Sequence, residues 1–115
     1  MIQAELLLNG RAVQSGAVDN ATATATAVAV TGVRHFVSGI DADYIDATVT
    51  SYKTITLKFG TTTIFVWRWD FAKGPFIRNL PVPVHGDYNQ AVSVELEASG
   101  VGGKTGRVGF WVSDS

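Results

Sequence analysis

Residues 21–30 read Ala-Thr-Ala-Thr-Ala-Thr-Ala-Val-Ala-Val, and no other stretch restricts the fold so tightly. An alternation with a period of two belongs to a β-strand, whose successive side chains point to opposite faces. Over its first seven residues one face carries only alanine methyls and the other only threonine hydroxyls. A face of alanines admits another backbone at close range, and so uniform a pattern sets register weakly. Left bare, such a strand would invite pairing with another chain, so something is expected to cover it.

The same period recurs downstream. Residues 53–59 place Ile55, Leu57 and Phe59 on one face and Thr54, Thr56 and Lys58 on the other. Residues 91–98 turn Val92, Val94 and Leu96 inward, with Ser93, Glu95 and Glu97 in water. Residues 107–112 offer Val108, Phe110 and Val112 to a core, and residues 33–40 separate Val33, His35 and Val37 from Arg34, Phe36 and Ser38. Residues 45–51 are rich in threonine and β-branched side chains. Residues 63–69 are apolar on both faces, the pattern of a central or doubly covered strand, which puts Phe65 and Trp67 in the core. Residues 80–84 hold Pro81 and Pro83, which lack the ladder N–H, so this segment is expected at a sheet edge or as an extended crossing.

Near the start, Leu6-Leu7-Leu8 meets Asn9-Gly10 and continues as Arg11-Ala12-Val13. Asn-Gly between apolar runs signals a tight hairpin. About eight strands joined by short turns predict one all-β domain, an antiparallel β-sandwich, jelly-roll-like or of another strand order, or else a small barrel. Residues 1–20 form its N-terminal hairpin or arm, and residues 21–115 the sandwich. The first residues lack a basic segment and carry Gln3 and Glu5, unlike a secretory signal.

Charge bounds the partners. Lysine and arginine total 9 against 10 aspartates and glutamates, for a net charge of -1, and both signs are spread evenly along the chain. Such a chain has no basic field to hold a phosphate backbone, so no nucleic-acid partner is expected. No apolar run approaches the ~20 residues of a membrane span, so no membrane partner is expected either. With no cysteine, disulfides and thiolate metal sites do not arise.

Three constellations invite a chemical reading. Residues 98–105 end in Gly-Lys-Thr like a phosphate-binding loop, but Ala98 stands where that loop needs glycine. A strand pattern follows instead of the helix whose N-terminus would meet the phosphate. Asp41, Asp43 and Asp46 are acidic neighbours, yet the glycine and further acid of a calcium loop are missing, and they read as solvated turn acids. His35 and His85 have no spaced partner ligand, and Ser38 falls on the face opposite His35, so neither a metal site nor a nucleophilic triad assembles. The expectation is a protein without catalytic activity, cofactor or metal. Of the aromatics, Trp69, Phe71 and Phe76 flank Asp70, Lys73 and Gly74-Pro75. They are expected at a rim, where flat rings bind a protein partner or a sugar.

The runs Arg34-His35-Phe36-Val37-Ser38-Gly39-Ile40, Asp41-Ala42-Asp43-Tyr44 and Asn89-Gln90-Ala91-Val92-Ser93-Val94-Glu95-Leu96-Glu97-Ala98-Ser99-Gly100 resemble small β-sandwich structural proteins of tailed bacteriophages, notably capsid decoration or cement proteins. The likeness spans roughly residues 27–113. It implies a virion protein on the capsid surface that binds the major capsid protein, stabilises contacts between its subunits and forms a homotrimer. The N-terminal arm, with Leu6 and Leu8, and the hydroxyl row Thr22, Thr24 and Thr26 would then make inter-chain contacts. The alternative is a carbohydrate- or receptor-binding module of a tail or fibre, using Trp69, Phe71 and Phe76.

Overall fold

A computed structural model describes residues 10–44, 52–100, 102 and 105–114. The expected N-terminal turn with Leu6 and Leu8, and the strand expected at 45–51, lie outside the described residues. The strands are β1 (Arg11–Gln14), β2 (Val18–Asp19), β3 (Ala23–Ala27), β4 (His35–Tyr44), β5 (Tyr52–Phe59), β6 (Thr62–Asp70), β7 (Phe76–His85), β8 (Val92–Leu96) and β9 (Thr105–Asp114). A single 3-10 turn, η1 (Phe71–Lys73), joins β6 to β7.

These strands form two antiparallel sheets. One has the order β1-β9-β4-β7, with β2 also on β9; the other has the order β3-β8-β5-β6. Apart from β2 the pairs are nested: β1 with β9, β3 with β8, β4 with β7, β5 with β6. A long hairpin folded over on itself gives this order, and it is the jelly-roll form of the sandwich. The sandwich expected from the alternating segments is the architecture found.

The core lies where the two inner faces meet. Ala23, Ala25, Ala27, Ile55, Leu57, Val92, Val94 and Leu96 come from one sheet; Val37, Ile40, Val108, Phe110 and Val112 come from the other, all buried. The alanine face of β3 does what small residues allow, and β3 lies against β9 and β1 of the opposite sheet. Its threonines face outward and are exposed. On β4 the inward residues Val37 and Ile40 are three apart, which strict alternation forbids. A bulge between Val37 and Gly39 absorbs the extra residue and turns Gly39 to the outer face.

The proline-bearing segment is part of β7, at a sheet edge, as its missing N–H groups require. Pro81 and Pro83 fall between the Asn79↔Gly39 and Val84↔Val37 pairs, where the ladder shifts. The expectation for 63–69 is corrected. β6 is an edge strand with β5 as its one neighbour, neither central nor doubly covered. Its inner row packs on the core through Trp67 and Trp69, while Phe65 is 40% exposed and Val66, on the outer row, 57%. Two apolar rows on one strand do not show how many neighbours the strand has.

Two ring-bearing polar side chains, Tyr44 and His35, are locked into this interior. Tyr44 is buried, its hydroxyl donates to the Glu97 carbonyl at 2.6 Å, and its ring meets Phe71 edge-on at 4.8 Å. Burial pushes the phenol well above the usual tyrosine range, and the nearby Glu97 carboxylate adds to it. Below about pH 10 the phenol is neutral in folded and unfolded chains alike. Above that the unfolded chain ionises first, so the contribution of Tyr44 to stability is lost as pH rises. Urea midpoints from pH 8 to pH 11.5 should therefore fall less steeply for Tyr44→Phe than for the parent. Parallel curves would show that Tyr44 does not carry the alkaline loss.

His35 is the other. It is 1% exposed, with Nδ1 2.6 Å from Asp114 Oδ1 and Nε2 2.8 Å from the Val28 carbonyl. Both neighbours accept, so both contacts are satisfied as hydrogen bonds when each ring nitrogen carries a hydrogen. Asp114 also pairs with Arg11 at 2.9 Å, so β4, β9, β1 and the 28–34 connection meet at one ionic knot.

Candidate functional site

Since Phe110 and Val112 are buried, Trp111 between them must point outward, away from the core. The register sets its surroundings. Ala12, Trp111, Gly39 and Asn79 form one row across β1, β9, β4 and β7; Gln14, Gly109, Asp41 and Ile77 form the next. Alanine and glycine on either side of Trp111 leave its indole standing above low ground. The result is a shallow depression of about 180 Å³ on the outer face of the β1-β9-β4-β7 sheet.

The indole is held in place. Gly10 lies so close to its Nε1, Cε2 and Cζ2 atoms that a Cβ there would overlap the ring. Trp111 nonetheless stays 41% exposed, and Ile77 across the depression is 70% exposed. Around these apolar surfaces stand an amide on Asn79, an amide on Gln14 and the carboxylate of Asp41, which Arg107 faces at 3.8 Å. A flat aromatic plane beside amide and carboxylate groups suits a ligand with an apolar C–H face and a rim of hydroxyls.

Further along the same face a second feature is built from β4 and the turn after β7. Arg34 lies over the Phe36 ring at 5.3 Å and over the Tyr88 ring at 4.8 Å. Phe36 in turn contacts His85 at 5.0 Å. The turn carrying Tyr88 is pinned: Asn89, at φ 62°, donates its N–H to the Val33 carbonyl and takes the Gly32 N–H on its side-chain oxygen. Tyr88 is thus fixed beside Arg34 by backbone bonds and does not depend on the ring contact alone.

The residues singled out from sequence fall elsewhere. Thr22, Thr24 and Thr26 are exposed, but they belong to β3 and its entry, in the other sheet. The rim expected from Trp69, Phe71 and Phe76 is corrected: Phe71 and Phe76 are each 6% exposed, and Trp69 packs against the core. Trp67 and Trp69 both meet Phe76 at 5.9 Å, closing the sandwich between β6 and β7. The cause is η1. Asp70 accepts the Ala72 N–H and Trp69 Nε1 donates to the Gly74 carbonyl, and the turn so held buries Phe71 while Ala72 and Lys73 stay exposed. Trp111 is one of the aromatic candidates in the sequence, and its place between two inward residues marks it as outward, but nothing in the sequence singles it out over the other aromatics. Among the described residues no group of three histidine, aspartate or glutamate side chains converges as a metal site.

No protein-family model and no curated protein matches this chain. Among solved structures it is similar to the CBM36-1 domain of a multidomain xylanase from the hindgut metagenome of Trinervitermes trinervoides. The match has a TM-score of 0.50 at 14% identity and covers 90% of this chain and 95% of that one. At this identity the likeness concerns the fold: the two chains share a β-sandwich.

Proposed function

We propose that this chain is a carbohydrate-binding β-sandwich module, and that the outer face of the β1-β9-β4-β7 sheet receives the sugar. The observation that carries the reading is Trp111, half exposed on a sheet face and buttressed by Gly10, with Asn79, Gln14 and Asp41 within the same depression. A pyranose ring stacks its C–H face on the indole, and its hydroxyls exchange hydrogen bonds with the two amides and the carboxylate. The sandwich neighbour, itself named as a CBM36-1 domain of a xylanase, supports the choice of ligand class. The proposal assigns no catalytic step to the chain.

The test is native gel electrophoresis through soluble polysaccharides of differing backbones. Retarded migration in at least one of them is the expected result, and unaltered migration in all would end the reading. A second variant checks the location. At Gly39 a Cβ would meet Asn79 and the Arg78 carbonyl only at ordinary contact distances of 3.7 and 3.8 Å. Gly39→Leu should therefore fold normally while filling the depression, and should reduce retardation at least about tenfold. Undiminished binding by a folded Gly39→Leu protein would move the site elsewhere.

A second reading, capsid decoration by a trimer on a virion surface, draws on the resemblance of residues 27–113 to phage sandwich proteins. It is favoured by the apolar edge at β6, where Ile64, Phe65 and Val66 are 40%, 40% and 57% exposed. Co-sedimentation with heads stripped of decoration would support it, and failure to co-sediment would remove it.

A further inference from the structure

The guanidinium of Arg34 is the one cation among the described residues that lies over aromatic rings, and it lies over two. Its Nε is buried without a hydrogen-bond partner. The ion pairs of the described chain join Arg11, His35, Lys53, Lys58 and Arg107 to carboxylates, and Arg34 is in none of them. Arg68, Lys73 and Arg78 are also outside those pairs, but all three are exposed and none lies over a ring among the described residues. Among the described residues Arg34 is thus the cation that lies part-way out of water, over two rings and outside every ion pair.

That combination has a physical meaning. Removing a charge from water costs free energy unless an opposite charge or hydrogen bonds replace the lost hydration. Rings on the guanidinium return part of that cost through their negative faces but satisfy none of its N–H donors. Clamping the plane also removes in advance the side-chain entropy that a flexible arginine loses when it is gripped. The planar fork then lacks only a planar acceptor, and a carboxylate matches it with two parallel hydrogen bonds.

The position says where that carboxylate would come from. Phe36 and Gly39 both face outward on β4, three residues apart, so the clamp lies about 10 Å from the Trp111 depression along the strand. This is within the reach of a short oligosaccharide lying across the sheet.

We infer that Arg34, held over Phe36 and Tyr88, is an anion subsite that recognises the carboxylate of an acidic sugar, a uronic acid, in a glycan whose neighbouring ring stacks on Trp111. The inference rests on the reading of the Trp111 face as a glycan site. It adds to that reading the class of glycan preferred.

The experiment compares polygalacturonate, alginate and glucuronoxylan, each with its carboxyl-reduced form, in which the acid has become a primary alcohol on the same backbone. Affinity electrophoresis and calorimetry read the dissociation constants. The parent protein should bind at least one acidic polymer about tenfold or more tightly than its reduced partner. Arg34→Gln should bind the two forms alike, and Arg34→Lys, which keeps the charge without the fork, should fall between. Thermal melts establish that both variants are folded. The comparison of acidic with reduced polymers in the parent protein stands even if a variant fails to fold. Equal binding of every pair by the parent protein would overturn the acidic preference and leave the Trp111 reading intact. An Arg34→Gln protein that keeps the full acidic preference would place the anion subsite elsewhere. Absence of binding to all six polymers and to neutral backbones would remove both.

Discussion

Replacing Trp111 by alanine is expected to weaken glycan binding by about 2.5 kcal/mol, roughly 70-fold in Kd. The size follows from area. A tryptophan side chain buries up to about 250 Å² when fully covered. Trp111 keeps 41% of its surface exposed, so a stacked sugar can cover only that share. Applied to that area, the usual coefficient of about 25 cal/mol/Å² gives the stated value. Stability should change little, because the indole sits outside the core. Calorimetric titration of parent and variant, with a melting curve for each, is the measurement. Binding that survives Trp111→Ala intact would remove the platform from the site. The same substitution at Trp69 should behave in the opposite way: loss of thermal stability, with any remaining folded protein binding normally.

His35→Ala should have the largest effect on stability, a loss of about 3 kcal/mol. The imidazole is almost wholly buried, and its removal leaves a cavity, an unpaired Val28 carbonyl and an Asp114 carboxylate reduced to Arg11 as partner. Asp114 is partly exposed, which keeps the figure at the lower end of what a broken buried pair costs. Chemical denaturation at neutral pH measures it, and a loss below about 1 kcal/mol would show the knot to be dispensable. Asp114→Asn should cost less, since the amide oxygen can still accept from His35 Nδ1.

The fold was largely written in the periodicity of particular segments. β5 and β8 alternate without interruption, and that pattern alone places Ile55, Leu57, Val92, Val94 and Leu96 in the core, where they lie. Pro81 and Pro83 marked β7 as an edge for a chemical reason, the absent N–H. β6 departs from its sequence expectation because Ile64 to Trp67 is apolar on both faces, a pattern shared by a strand between two neighbours and a strand beside one. The deciding information is the sheet order, which alternation does not encode. The site was less legible. Trp111 could be turned outward from Phe110 and Val112 alone, but Gly39, Asn79 and Gln14 reach it only through nested pairing between distant strands. Arg34 and Tyr88 meet because a turn after β7 lands on the segment before β4. Phe71 and Phe76 looked peripheral beside Gly74-Pro75, and only η1, folded back by Asp70 and Trp69, brings them inside.

The nesting of the strand pairs also orders events in time. β9 follows the other described strands in the chain and lies inside its sheet, between β1 and β4. The Arg11–Asp114 bridge spans 103 residues of chain. Closing a loop of that length costs chain entropy before any contact repays it, and folds dominated by such pairings form slowly. The β5-β6 hairpin can assemble from local contacts and β4 can pair with β7 directly, whereas β1 joins that sheet only through β9. The Trp111 face is therefore the late half of the sandwich, and it comes into being only once β9 has joined β1 to β4.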